Sequence, residues 1–315
     1  VIFERTEAET SGKFGKKPEE RTIEELFSSA VINLDKPRGP TSHEVVSWVK
    51  DILRVRKAGH SGTLDPKVTG VLPVGIQKAT KVLQVLLLGS KEYVGVMHFH
   101  KTVSKNRVVK VFDEFTTEIY QKPPVKSAVT RRVRRRKIYE LTLLEKDGKD
   151  VLFRVETQAG TYIRKLCYDI GLVMGTGANM AELRRVRVSG FTEGTSFYLQ
   201  DIKDAVIFYT EDKEEEELRK CLLPVEKAVD NIPKVWIQDS AVDSLCHGAE
   251  LGVPGVVKLE DVHKGQMVAV MTLKDELVAL GTAQMTTKDI LYKNKGIGVK
   301  TERVIMERGT YPRNW

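Results

Sequence analysis

The change of character near Pro233 constrains this chain most. Upstream, helix-like and strand-like stretches interleave without a regular βαβ rhythm. Downstream, short apolar runs sit between Gly and Pro: "VPGVVKL", "QMVAVMTL" and "LVALGTAQM". One chain must therefore build two different cores. The upstream pattern predicts a mixed α+β sheet rather than a doubly wound one. The downstream pattern predicts a small β-barrel of roughly 80 residues. A length of 315 residues accommodates both. The first twenty or so residues lack apolar periodicity and read as an arm that is disordered until it docks. The expected division is an arm at 1–23, a larger domain at 24–233 and a barrel at 234–315.

Local signals place the elements. "SSAVINLDKPRG" predicts a strand stopped by Pro and Gly. In "PTSHEVVSWVKDILRV", Thr41 and Glu44 have the spacing of a capping box, and Val45, Val49, Ile52 and Leu53 fall on one helical face. "VLPVGI" predicts a strand, and "KATKVLQVLLLG" a helix ending at Gly89. "EYVGVMHFH" alternates like a strand. "RKIYELTLLEKDGKDVLFRVET" reads as two strands around an Asp147-Gly148 turn. "GTYIRKLCYDIGLVMG" reads as a turn and a helix closed by Gly175, and "YTEDKEEEELRK" as a charged surface helix.

Several functions are disfavoured by what is missing. No apolar run approaches the roughly 20 residues of a membrane span. The charged opening cannot be a signal peptide, and a start at Val1 without Met fits a trimmed chain. Cys167, Cys221 and Cys246 are odd in number and widely spaced, which points to a reducing compartment. No zinc-site or P-loop spacing occurs. "GTG" at 175–177 follows a helix and reads as its cap, and His247 reads as a helix-end residue. A net charge of +8 favours a polyanion partner only weakly.

Two stretches carry candidate chemistry. "KSAVTRRVRRRK", residues 126–137, holds the densest positive charge, with Lys126, Arg131, Arg132, Arg134, Arg135 and Arg136 as candidate RNA contacts. The alternative is a solvated surface strand. Pro123-Pro124 would stiffen its base. "GHSGTLDPKVTG", residues 59–70, surrounds Asp65 with small residues. Pro66 biases Asp65 towards extended or turn geometry, and the glycines permit close approach of a backbone or nucleotide. An ordinary Asp-Pro turn remains open on chemistry alone.

Resemblance separates these readings. "GHSGTLDPKVTGVLPVGIQKATKV" resembles the catalytic motif of the TruB family of pseudouridine synthases. "LDKPRGPTSHEVV", "KEYVGVM", "QKPPVKSAV", "GTYIRKL" and "MAELRRVRVSGF" follow in the family's order, spanning roughly residues 33–191. The C-terminal region is similar to a PUA domain, an RNA-binding β-barrel. Within the family the likeness is to archaeal homologues of dyskerin, catalytic subunits of H/ACA ribonucleoproteins. Stand-alone bacterial tRNA enzymes carry a longer insertion between the "SAV" and "YEL" segments, where this chain has only "TRRVRRRKI". The lysine-rich tails of eukaryotic dyskerins are absent from this sequence.

The resemblance implies a pseudouridine synthase fold and an isomerase needing neither cofactor nor metal. It makes Asp65 the essential carboxylate, as nucleophile or as base. Arg164 would pair with it, offsetting the pKa rise that burial imposes on a carboxylate. Tyr93 would stack on the flipped uracil and move a proton at C5. Leu183 would pack against the base, and His60 would occupy the space the nucleotide vacates. Lys36 and Pro37 would support the site from behind. Gly248, Ala249 and Leu251 would contact the 3′ ACA of a guide RNA. Implied partners are guide and substrate RNA, small core proteins docked on the catalytic domain, and a kink-turn protein held through the guide. A membrane is not among them, and the implied location is the cytoplasm of an archaeal-type cell. A stand-alone tRNA pseudouridine synthase and a non-catalytic RNA scaffold are the competing expectations.

Overall fold

The computed structural model describes residues 1–123, 130 and 132–313. Among these, ten strands form the larger sheet. Its main path runs Leu223–Pro224, Ala30–Lys36, Thr69–Ile76, Ala178–Val188, Lys91–Phe99, Asp150–Thr157, Arg134–Asp147 and Glu118–Gln121. Neighbours are antiparallel except at one place, where Thr69 and Gly70 run parallel to Arg184 and Arg185. Gly70 makes that approach possible. Its φ is +104°, and a Cβ there would lie 2.2 Å from the Arg185 carbonyl oxygen. The contact fixes the loop before Gly70 over the Ala178–Val188 strand.

Helices cover the sheet as their apolar faces dictate. Ser42–Leu53 buries Val45, Val49 and Leu53, and Thr41 and Glu44 form the expected capping box. Ile163–Val173 ends at Gly175, whose φ is +67°. A further helix, Lys105–Phe115, buries Val108, Val111 and Phe112 behind a Ser104 N-cap. Three expectations need adjusting. The stretch before Gly89 divides into a 3₁₀ turn, Gln77–Lys81, and a short helix, Leu83–Leu88. Gly89 itself has φ −67°; its value is space, because a Cβ would fall 1.8 Å from Ser189 Oγ. The hairpin pairs Asp147 with Asp150, so Gly148 and Lys149 form the turn, one residue later than expected. The charged segment breaks at Lys213, with φ +64°, and resumes as Glu216–Cys221.

The second sheet has seven strands among the described residues: Ile2–Glu4, Val256–Glu260, Lys234–Ile237, Met267–Met271, Leu277–Ala283, Ile297–Val304 and Leu251–Gly252. The arm thus supplies its first strand, with Phe3 opposite Leu259. Beyond it, Thr10 and Ser11 donate to the buried Asp239 carboxylate, and Phe3 and Phe14 pack on the barrel core. Val31, Val71 and Leu86 of the larger sheet region share one apolar cluster with Trp236, Met271 and Leu280 of the barrel. No helix among the described residues is long and apolar enough to cross a membrane.

Candidate active site

The loop carrying Asp65 is held from below by buried polar groups. The Lys36 ammonium, fully buried, donates to the carbonyls of Pro37 (2.8 Å), Pro66 (3.3 Å) and Val68 (3.0 Å). Burial lowers its pKa, and nearby Asp65 opposes that shift. Lys36 therefore fastens the turn that follows Asp65, and exposed Pro37 contributes through its carbonyl. The Val68 N–H closes the turn on the Asp65 carbonyl (2.9 Å).

Asp65 projects outward to form an ion pair with Arg164, on the first turn of Ile163–Val173. The two residues are 99 positions apart in sequence. The expected burial of this carboxylate is not met. The Asp65 side chain is 51% exposed and Arg164 60% exposed, so the pair lies at an open surface. Desolvation of the carboxylate therefore awaits whatever covers that surface.

Tyr93 is half-buried opposite Arg185, and Leu183 lies across from Gly95. Leu183 is only 9% exposed and belongs to the core cluster. Little of its side chain is therefore open to a ligand. Arg185 was not singled out from the sequence. Its fully buried guanidinium donates to the carbonyls of Val71 (2.8 Å) and Gly62 (3.2 Å), and Arg185 is the cross-strand partner of Tyr93. It thereby joins the Asp65 loop to the Tyr93 strand. Neighbouring Arg184 instead pairs with Asp35 (2.6 Å) and Glu193 (2.7 Å). Strand alternation from Leu183 was the available signal for Arg185 facing inward.

His60 ends the Ala58–His60 strand, edge-on to His43 with ring centroids 5.0 Å apart. Burial, then His43 and Arg185, push its imidazole down to about 4. The unfolded chain therefore binds more protons than the folded chain between about pH 4 and 6.5. Stability contributed by neutral His60 is complete above that window and lost as pH falls through it. With its partial exposure, about 1–2 kcal/mol is expected. His60→Gln should flatten the acid limb of a melting-temperature profile by that amount. An unchanged limb would show that His60 is not its source.

The basic run differs from expectation. Lys126 and Arg131 lie outside the described residues. Arg134, Arg135 and Arg136 lie in a strand paired with Glu118–Gln121, while Arg132 precedes it. Not all of this charge is unopposed, because Arg135 reaches Glu118 (3.4 Å). Arg136 donates to the Gly160 carbonyl (3.1 Å). In the barrel, Gly248 has φ +90° and Ala249 is exposed, but Leu251 is 2% exposed and faces the core. A side-chain contact from Leu251 to RNA is thus disfavoured. Gly248 borders a cleft of about 450 Å³ with Lys78, Lys81, His247 and Arg308, between the two sheets. His247 caps Asp239–Cys246, as its position in sequence suggested.

This combination, an open carboxylate–guanidinium pair on a mixed sheet fused to a basic-lined barrel, matches an RNA-modifying class. Residues 50–163 match the TruB family pseudouridylate synthase N-terminal domain, and 164–230 the tRNA pseudouridylate synthase B C-terminal domain. Residues 233–305 match the PUA domain and 2–46 the DKCLD (NUC011) domain. A protein of Methanocaldococcus jannaschii named "Probable tRNA pseudouridine synthase B" is 55% identical, covering 100% of this chain and 94% of the relative. One of the same name from Thermococcus kodakarensis is also 55% identical, covering 100% and 94%. A protein in the crystal structure of a Cbf5-Nop10-Gar1 complex is 54% identical, with a TM-score of 0.96 over 99% of this chain and 96% of its own. A chain in an H/ACA RNP bound to substrate RNA containing 2′-deoxyuridine is 52% identical, with a TM-score of 0.94 over 100% and 97%. The chain belongs to the TruB family of pseudouridine synthases, isomerases that act on RNA, and has the domain set of its dyskerin-like members.

Proposed function

We propose that this chain is the catalytic subunit of an H/ACA ribonucleoprotein, converting guide-selected uridines to pseudouridine. The observation that carries this reading is the near full-length match to chains solved in H/ACA assemblies, with Asp65 and Arg164 paired at an open surface. Asp65 is the reacting carboxylate, and Arg164 is its ion-pair partner. The C1′–N1 bond breaks, the uracil turns and a C1′–C5 bond forms; C5 gives up a proton and N1 takes one, with Tyr93 facing the base as the group suited to the transfer at C5. No electrons are exchanged with another reactant. Flipping the base costs a few kcal/mol, which the pocket offsets.

The partners in this reading are guide and substrate RNA, small core proteins docked on the catalytic domain, and a kink-turn protein carried by the guide. A cytoplasmic location follows from it. The names borne by the archaeal relatives favour a second reading, a tRNA enzyme acting without a guide. Tritium release from C5-labelled uridine separates the two. Release only from a guide–target pair with core proteins is the expected result. Equal release from tRNA by the chain alone would make the second reading primary.

Charge gives a further test. Arg132, Arg134 and Arg136 have no acid partner among the described ion pairs, whereas Arg135 has one. Replacing all four by Gln should weaken single-stranded RNA binding. For every phosphate no longer neutralised, the logarithmic salt dependence should flatten by about 0.7. An unchanged slope would assign the run to the solvated surface.

A further inference from the structure

Both members of the exposed ion pair stand close in sequence to a residue whose backbone N–H and carbonyl are both held by one neutral side chain. Ser42 is fully buried. Its Oγ accepts from the Leu64 N–H (2.9 Å) and donates to the Leu64 carbonyl (3.1 Å). Leu64 immediately precedes Asp65. Gln121 is 2% exposed. Its Oε1 accepts from the Tyr162 N–H (2.9 Å), and its Nε2 donates to the Tyr162 carbonyl (3.2 Å). Tyr162 is the N-cap of the helix that presents Arg164 two residues later. The same carbonyl accepts the Leu166 N–H (3.0 Å), so Gln121 holds the first turn at its origin.

We propose that Ser42 and Gln121 are positioning residues that set the distance and direction between Asp65 and Arg164. An ion pair this exposed contributes little and cannot fix its own geometry. Long side chains on separate elements wander unless the backbone beneath them is pinned. Holding a residue by both its N–H and its carbonyl fixes the two peptide planes that flank it, and so restricts rotation as well as translation. Both grips are neutral, the Ser42 grip buried and the Gln121 grip partly so, and salt therefore weakens them less than it weakens the pair. Misplacement of a reacting group by about 1 Å can cost a hundredfold in rate. The inference rests on the pair being catalytic, as proposed above.

The test is single-turnover isomerisation of a guided target at saturating RNA, using the assembled particle. Ser42→Ala and Gln121→Met should each slow the step at least tenfold, with RNA affinity changed less than twofold. Ser42→Cys and Gln121→Glu keep part of each grip and should fall between these variants and the parent. They also serve if the first pair fails to fold, as melting temperature will show. In an Arg164→Met background, where the pair is already broken, Gln121→Met should cost no further rate. A purely structural role would slow both backgrounds alike, and that result would overturn the inference. Full-rate Ser42→Ala and Gln121→Met beside a slow Arg164→Met would also overturn it. A full-rate Arg164→Met would instead sink the catalytic reading of the pair.

Discussion

Asp65→Asn should abolish tritium release from a guided target, by at least about a thousandfold, while RNA binding stays within a few-fold of the parent. The substitution preserves shape and removes charge. The side chain is half exposed, so its loss empties no core. The loop beneath it is fastened through backbone carbonyls to Lys36, and through Leu64 to Ser42, neither of which touches the Asp65 carboxylate by a hydrogen bond. Folding and docking of RNA should therefore survive. An amide can neither attack a sugar carbon nor take a proton as a carboxylate does. Arg164 would lose its anionic partner, and its guanidinium would remain free to meet phosphate, which favours binding further. Undiminished modification by Asp65→Asn would remove the chemical basis of the assignment. Lost modification together with lost RNA binding would leave Asp65 as a binding group only.

What the sequence disclosed depended on the range of the interactions involved. Thr41 and Glu44 are three residues apart, and their capping box is local, so pattern alone revealed it. The hairpin was equally local, and only the identity of its central residues slipped, because register is decided by the full strand pairing from Ile138 to Asp147. Lys105–Phe115 carried a readable signal, Ser104 followed by Val108, Val111 and Phe112 on one face, which the sequence reading passed over. Asp65 was a different case. Nothing in its own chemistry separated a reacting acid from an Asp-Pro turn, and resemblance supplied the distinction. Its pairing with Arg164 depends on a parallel contact between Thr69–Gly70 and Arg184–Arg185, which no spacing rule reaches. Arg185 was hidden by its neighbour: two adjacent arginines look alike in sequence, yet one faces carboxylates and the other is fully buried. The strand at Ile2–Glu4 is three residues long, too short to signal itself, and its partner lies more than two hundred residues away.

The largest stability effect should come from the end of that same arm. Arg21 sends two parallel hydrogen bonds to Glu226, each 2.8 Å, and Glu226 also accepts the buried Leu277 N–H at 2.9 Å. One carboxylate thus ties the arm, the end of the larger domain and a barrel strand. The pair is mostly shielded, at 16% and 11% side-chain exposure. Burial works against the Arg21 charge, but Glu226, Glu276 and Glu25 more than restore it, and its pKa is raised. Replacing one partner of a shielded pair leaves the other charged and largely desolvated, a loss of about 3–5 kcal/mol. Arg21→Met should therefore lower the calorimetric transition by several degrees. Arg21→Lys should recover only part of it, because an ammonium cannot reproduce the planar two-point match. Lys293→Met, which breaks an exposed pair with Asp289, is the contrast, and its transition should barely move. If Arg21→Met cost no more than Lys293→Met, the junction would be incidental, and the two sheets would be held chiefly by the shared apolar cluster around Trp236 and Met271.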